Sequence, residues 1–170
     1  YLNKVLTLKA NDCEVIKDLG NSYHAIGDIN NAKKYYQKAI LINSKYAPAL
    51  TNLGCLEFKT GNKIEALTLL IKATQFESEL IPAWVNLANC YLQLGQLNEA
   101  KAACLRLLEV NPNLYNSYFL LANILIRQKK LLEAAKSLSK AIELKPDFFQ
   151  AHLNLGVILK DLGKYEEAEI

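Results

Sequence analysis

The apolar residues of this chain follow a pattern with a period of 34 residues. Each period carries a leucine followed by a small residue, and an alanine lies 12 positions after that small residue. The five pairs are Leu19-Gly20, Leu53-Gly54, Leu87-Ala88, Leu121-Ala122 and Leu155-Gly156, and the alanines are Ala32, Ala66, Ala100, Ala134 and Ala168. A fixed period of roughly 20–50 residues is the signature of stacked supersecondary units. The pattern therefore predicts a repeat architecture rather than one globular core.

Residues 81–114 show which elements one period contains. Apolar residues spaced i, i+3, i+4 and i+7 mark the face of a first helix: Trp84, Leu87, Ala88 and Tyr91. Gly95 follows where a left-handed residue would end that helix. A second helix has its own apolar positions: Ala100, Cys104 and Leu107. Pro112 then ends the second helix, because proline cannot continue a helix interior. Each period therefore predicts an antiparallel helical hairpin.

The period also divides the chain into repeats. Four full repeats are expected at 13–46, 47–80, 81–114 and 115–148, with the tail of a repeat at 1–12 and a truncated one at 149–170. We expect one continuous array over 1–170. Since the chain opens inside one predicted helix and closes inside another, and contains no methionine, we interpret it as an excerpt of a longer array or a larger protein.

The pattern resembles the tetratricopeptide repeat (TPR) family across the whole chain. The family has characteristic residues at eight positions of each repeat, and the first full repeat reads Ile16, Leu19, Gly20, Tyr23, Ala32, Tyr36, Ala39 and Ser44. Two departures are notable. Glu57 stands where a large residue is usual, so we expect less apolar packing there, and Lys129 replaces the turn glycine, which costs about 1–2 kcal/mol if that residue is left-handed. The resemblance implies an all-α, right-handed α-solenoid (a superhelix) whose first helices line a concave groove.

Family resemblance places positions 2, 5, 6, 9, 12 and 13 of each first helix in that groove. The positions hold a ladder of amides that could hydrogen bond a peptide backbone, because an amide offers both a donor and an acceptor. Its members are Asn21, Asn52, Asn86, Asn89, Asn123 and Asn154. The ladder is similar to those of O-GlcNAc transferase superhelices. The alternative is that these amides only cap or link neighbouring helices.

Apolar and charged residues complete the predicted groove. Positions 5 and 12 of the third and fourth repeats hold Val85, Leu92, Phe119 and Ile126. They form an interaction patch if they face solvent, and they are half-buried packing residues if the next first helix covers them. Groove charges are sparse and mixed, with Arg127 among them. The carboxylate clamp of chaperone-tail binders is matched by Lys17, Asn21 and Asn52 only in its first half, so that function is disfavoured.

Composition and candidate chemistry narrow the function further. A net charge of +3 does not imply nucleic-acid binding, and that function is disfavoured because the predicted groove is nearly neutral. The apolar runs are too short to span a membrane. The spacing of the four cysteines matches no zinc site, so we expect reduced thiols, no metal, no cofactor and a cytoplasmic location. His24 and His152 are far apart along the chain, and His152 falls at a packing position where its ring would fill space. Nothing in the sequence indicates a catalytic site.

Two functions remain open from the sequence. The first is a protein–protein interaction scaffold that binds an extended peptide or protein segment in the concave groove. The second is the substrate-presenting arm of a larger enzyme, such as a glycosyltransferase or sulfotransferase, whose catalytic domain lies outside this chain. The incomplete terminal repeats also predict end-to-end self-association, because solenoids need polar caps to stay apart.

Overall fold

The computed structural model describes residues 12–163, and within them it contains nine α-helices and no strands. Five are first helices of repeats: α1 (Cys13–Ala25), α3 (Ala47–Lys59), α5 (Ile81–Gln93), α7 (Tyr115–Arg127) and α9 (Phe149–Asp161). Four are second helices: α2 (Ile29–Ile42), α4 (Lys63–Phe76), α6 (Leu97–Val110) and α8 (Leu131–Leu144). The helices alternate along the chain as successive repeats, which confirms the expected all-α helical-repeat solenoid.

The turn after each first helix contains one residue with positive φ. Four of these residues are glycines, and the fifth is Lys129 with a φ of 60°. Glycine adopts this conformation without a steric penalty, whereas lysine does not. The strain expected at Lys129 is therefore present, and the turn between α7 and α8 forms in spite of it.

The chain divides into two compact units, with the boundary between Cys90 and Tyr91 inside α5. We call residues 12–90 the N-terminal unit and residues 91–163 the C-terminal unit. In the N-terminal unit α1 packs on α2, α3 packs on α4, and α2 packs on α3. Tyr36, Leu50 and Leu56 are almost completely buried in its core.

The C-terminal unit has the same construction. Here α7 packs on α8, α6 packs on α7, and α9 packs on α8. The side chains of Leu107, Ile124 and Leu138 are fully buried. Tyr36, Leu50, Leu107 and Leu138 lie at packing positions that the period predicted, whereas Leu56 and Ile124 lie at a repeat position that it did not.

The small residue before the turn allows two helices to approach closely. A Cβ atom added at Gly20 on α1 would lie 2.6 Å from a ring atom of Tyr36 on α2, and one added at Gly54 would lie 2.9 Å from the Cγ atom of Leu70. Real side chains do not pack at such distances, so any larger residue at Gly20 must displace a buried ring.

The structure adds detail to the expectations for two polar residues. Glu57, where we expected less apolar packing, is buried with its side chain 3% exposed, and its Oε1 atom lies 2.5 Å from the Nζ atom of Lys33 on α2. Asn62 donates a hydrogen bond of 2.6 Å to Glu57 Oε2. The expectation for His152 was wrong, because it is exposed and its Nε2 atom lies 2.8 Å from the carbonyl oxygen of Pro146.

Candidate functional site

Two ladder asparagines in the N-terminal unit bind each other. Asn52 on α3 donates from Nδ2 to Asn21 Oδ1 on α1 at 2.8 Å. The same oxygen accepts from the Tyr36 hydroxyl at 2.9 Å, and Asn21 Nδ2 donates to Asp18 at 3.2 Å. The amide of Asn21 thus links α1, α2 and α3.

The C-terminal unit repeats this link in a weaker form. Asn154 on α9 donates from Nδ2 to Asn123 Oδ1 on α7 at 3.5 Å, at the limit of hydrogen bonding. Both side chains are half-buried. In each unit the asparagine at position 6 therefore faces the asparagine at position 9 of the preceding repeat.

Two other ladder members are without such partners. The amides of Asn86 and Asn89, both on α5, make no side-chain hydrogen bond to the residues described between 12 and 163. Asn89 is exposed and Asn86 is half-buried, as is Val85 beside them. These amides retain donor and acceptor capacity for a ligand.

The apolar groove residues of the C-terminal unit are half-buried rather than open. This holds for Leu92, Phe119 and Ile126. The ring of Phe119 lies 4.9 Å from that of Phe148, and Phe148 lies 5.0 Å from Tyr115 in an edge-on contact. Aromatic contacts within the fourth repeat therefore cover part of the predicted apolar patch.

The ammonium group of Lys145 lies against this aromatic cluster. It is 4.8 Å from the centre of the Tyr115 ring and 5.8 Å from that of Phe148. It also donates to the Tyr115 hydroxyl at 3.4 Å. We call Tyr115, Phe119, Lys145 and Phe148 the Lys145 cluster. Sequence reasoning found Phe119 alone, because the other three lie at positions 1, 31 and 34, outside the groove positions of the family.

The charged groove residues differ in their partners. Lys17 lies 2.8 Å from Asp18, and this hydrogen-bonded pairing raises the pKa of the lysine. Arg127 donates from Nη1 to the carbonyl oxygen of Leu92 at 2.5 Å. The three residues that matched half of a carboxylate clamp, Lys17, Asn21 and Asn52, are thus all engaged within the protein.

The cysteine thiols and the possible metal-ligating side chains give no sign of a reactive site in the described residues. Burial raises the pKa of the Cys104 thiol to about 12 and also raises the pKa of Cys90. Since the thiolate is the nucleophile, Cys104 is inert at neutral pH. All four cysteines are free thiols. Within residues 12–163 no three His, Cys, Asp or Glu side chains are grouped so that they could hold a metal ion, and no helix is long and apolar enough to cross a membrane.

Comparison with family models gives matches in three stretches of the chain. Residues 81–114 and residues 18–46 match models described as tetratricopeptide repeat, and residues 122–163 match a model described as TPR repeat. None of the curated proteins matches the sequence significantly.

Solved structures with the same fold are helical-repeat proteins. MamA is 21% identical with a TM-score of 0.82, over 92% of this chain and 85% of its own. YrrB, described as a TPR protein with an unusual peptide-binding site, is 22% identical with a TM-score of 0.78. The match covers 98% of this chain and 86% of YrrB. A tetratricopeptide repeat protein from Parabacteroides merdae is 23% identical with a TM-score of 0.80. The match covers 92% of this chain and 62% of that protein. The repeats and the fold are those of a protein–protein interaction scaffold, and the chain belongs to the tetratricopeptide repeat family.

Proposed function

We propose that the chain binds an extended peptide or protein segment along its first helices, with asparagine amides hydrogen bonding the ligand backbone. The observation that carries the proposal is the difference within the ladder. Asn21 and Asn52 hydrogen bond each other, whereas Asn86 and Asn89, at the same two repeat positions, make no side-chain hydrogen bond among the described residues. The unusual peptide-binding site named for YrrB supports the proposal at the level of the fold.

A peptide display library tests this directly. The immobilised chain would be screened with random 12-residue peptides, and enriched sequences titrated by calorimetry against wild type and against the Asn86→Ala/Asn89→Ala variant. Losing two hydrogen bonds to a ligand backbone should weaken binding about tenfold or more.

The matched control is Asn30→Ala. Asn30 is exposed on α2, a second helix, and its side chain makes no hydrogen bond with the described residues. It should leave both the affinity and the melting temperature unchanged. If the double variant binds the selected peptides as tightly as wild type does, the asparagines are not the ligand-gripping groups and the proposal is wrong.

The same binding would serve a substrate-presenting arm of a larger enzyme. The scaffold and the substrate-presenting arm differ in whether the bound ligand is afterwards modified by an enzyme. The sequence on either side of this chain would distinguish the two functions. A catalytic domain beside the repeats supports the arm, and further repeats support the scaffold.

We also propose that copies of the chain associate end to end through apolar helix faces. On α1, Leu19 is 41% exposed, whereas Leu53, Leu87 and Leu121 at the equivalent position are no more than 8% exposed. On α9 one stripe is exposed: Phe149, Leu153 and Val157. A second copy continuing the stack would cover both faces, as successive hairpins do within each unit.

Light scattering at rising concentration tests the association. We expect the mass of wild type to increase and that of Leu153→Glu/Val157→Glu to remain monomeric. Leu132→Glu is the control, because Leu132 is 61% exposed but lies on the second helix α8. A wild-type chain that stays monomeric at the highest concentration rules out this contact.

A further inference from the structure

The Lys145 cluster joins a cation to a half-buried aromatic surface at the start of α7. An ammonium group has three donors, and Lys145 uses one for the Tyr115 hydroxyl. No carboxylate lies within ion-pair distance of Lys145 among the described residues, and Asp147, two residues further on, makes no ion pair with it. The remaining N–H groups can therefore donate hydrogen bonds to an anionic partner beside the aromatic rings.

A second cation lies at the other end of the same helix. Arg127 is the last residue of α7 and is exposed. One of its guanidinium nitrogens donates a hydrogen bond to the carbonyl oxygen of Leu92. It too has no carboxylate partner within the described part of the chain. Because α7 has 13 residues, about 18 Å of helix axis separates the two ends.

The surface between the two cations is apolar with one amide. Phe119 and Ile126 are seven residues apart on α7 and so share one face, and Asn123 lies beside them. All three are half-buried, so each leaves part of its side chain accessible. An extended peptide spans about 18 Å with five to six residues.

The charge balance of the C-terminal unit agrees with an acidic ligand. Residues 91–163 contain nine Lys or Arg and six Asp or Glu, whereas residues 12–90 contain eight of each. The excess of positive charge therefore lies in the unit that carries Lys145 and Arg127, and opposite charges across an interface favour recognition of the correct partner.

From these observations we propose that α7 binds an extended segment with an acidic residue at each end and apolar side chains between them. One carboxylate meets Lys145 and the aromatic rings, the other meets Arg127, and Asn123 hydrogen bonds the backbone between them. The inference rests on the proposed peptide-binding function and specifies the chemistry of the ligand.

The test uses three synthetic peptides with blocked termini. The first is Asp-Ser-Leu-Ser-Leu-Ser-Asp, whose aspartates and leucines share one face when the peptide is extended. The second has lysine in place of both aspartates, and the third has serine in place of both. Calorimetry with the full chain should give binding of the acidic peptide at least tenfold tighter than of the serine peptide, and weakest binding of the lysine peptide. The preference should shrink in high salt.

Variants of the chain locate the effect. Lys145→Ala and Arg127→Ala should each lower the affinity for the acidic peptide about tenfold, and Lys145→Arg should retain most of it. Lys136→Ala removes an exposed, unpaired charge from the second helix α8 and should change nothing. Circular dichroism checks that each variant is folded.

The outcomes separate this inference from the proposed function. If library peptides bind through Asn86 and Asn89 but the acidic peptide binds no better than the serine peptide, the acidic-ended ligand is wrong and the scaffold function stands. If acidic peptide binding is lost equally in Lys136→Ala, the attraction is unspecific and α7 is not the site. If no peptide of any charge binds, both proposals fail.

Discussion

The two units differ in how closely polar side chains at equivalent repeat positions approach each other. In the N-terminal unit Asn21 and Asn52 form a 2.8 Å hydrogen bond, Lys17 pairs with Asp18, and Glu57 pairs with Lys33. In the C-terminal unit the corresponding asparagine contact is 3.5 Å. Arg127 at a groove position and Lys145 outside the groove positions have no carboxylate partner among the described residues. The open amides Asn86 and Asn89 lie in the N-terminal unit, so both units contain satisfied and open polar groups.

This difference teaches that position within a repeat does not by itself determine role. A polar side chain that is saturated inside the protein stabilises the stacking of helices, and it has little hydrogen-bonding capacity left for a ligand. A side chain at the same position with open donors and acceptors is available for binding. Stability measurements on matched variants of the two units should therefore separate supporting residues from ligand-binding residues.

The largest effect is expected at the close approach of α1 and α2. Gly20→Ala places a methyl group against the buried Tyr36 ring and should lower the free energy of unfolding by about 1–3 kcal/mol. Urea titration followed by Trp84 fluorescence measures this, because Trp84 is the single tryptophan and lies in the N-terminal unit. In the C-terminal unit Ala122 already occupies this position, and Ala122→Gly should cost about 1 kcal/mol or less. Equal losses would show that the ring contact is unimportant.

The asparagine links give the next largest difference. Asn21→Ala leaves the Tyr36 hydroxyl and the Asn52 amide without their acceptor, so we expect a loss of about 1–2 kcal/mol. Asn123→Ala should cost only about 0.5 kcal/mol, since its contact is long and half-exposed. Chemical unfolding of both variants checks the order, and a larger loss at Asn123 would overturn the division between the units.

The buried carboxylate makes the N-terminal unit sensitive to acid. Burial alone would raise the pKa of Glu57, but Lys33 and Asn62 outweigh it and hold that pKa below its usual value. This contribution to stability is present above the ordinary glutamate pKa and is lost as the pH falls through the lowered one. Glu57→Gln should cost about 1 kcal/mol at pH 7 and flatten the loss of stability below pH about 4. Glu65→Gln, on the exposed face of α4, is the control and should leave the free energy of unfolding at pH 7 unchanged.

The smallest expected effect is a gain in the free energy of unfolding rather than a loss. Lys129→Gly relieves a positive φ in the C-terminal unit and should raise the free energy of unfolding by up to about 1 kcal/mol. Thermal unfolding followed by circular dichroism measures the gain. The reverse exchange, Gly95→Lys, should lower stability by a similar amount, and a gain from that substitution would contradict the explanation by backbone strain.

Some features of the fold and of the candidate site could be predicted from the residues, and others could not. Lys129 predicted a strained turn, because the strain follows from backbone sterics at one repeat position. The contact of the Tyr36 ring with Gly20, in contrast, was visible only in the structure. The partners of Glu57 could not be predicted, since Lys33 lies 24 positions earlier and on another helix. Whether each ladder asparagine binds its neighbour or remains open also required the structure. The assignment of the open asparagines to ligand binding remains a prediction.

The sequence by itself determined the family, the all-α class and the places where helices begin and turn, because each depends on a local pattern repeated every 34 residues. The tertiary structure decided which polar groups are already satisfied, since that depends on distances between side chains of different repeats. The hydroxyl of Tyr36 and the amide of Asn52 meet Asn21 only after three helices pack. Likewise, Lys145 comes to lie against Tyr115 across 30 residues of chain, because α8 folds back on α7.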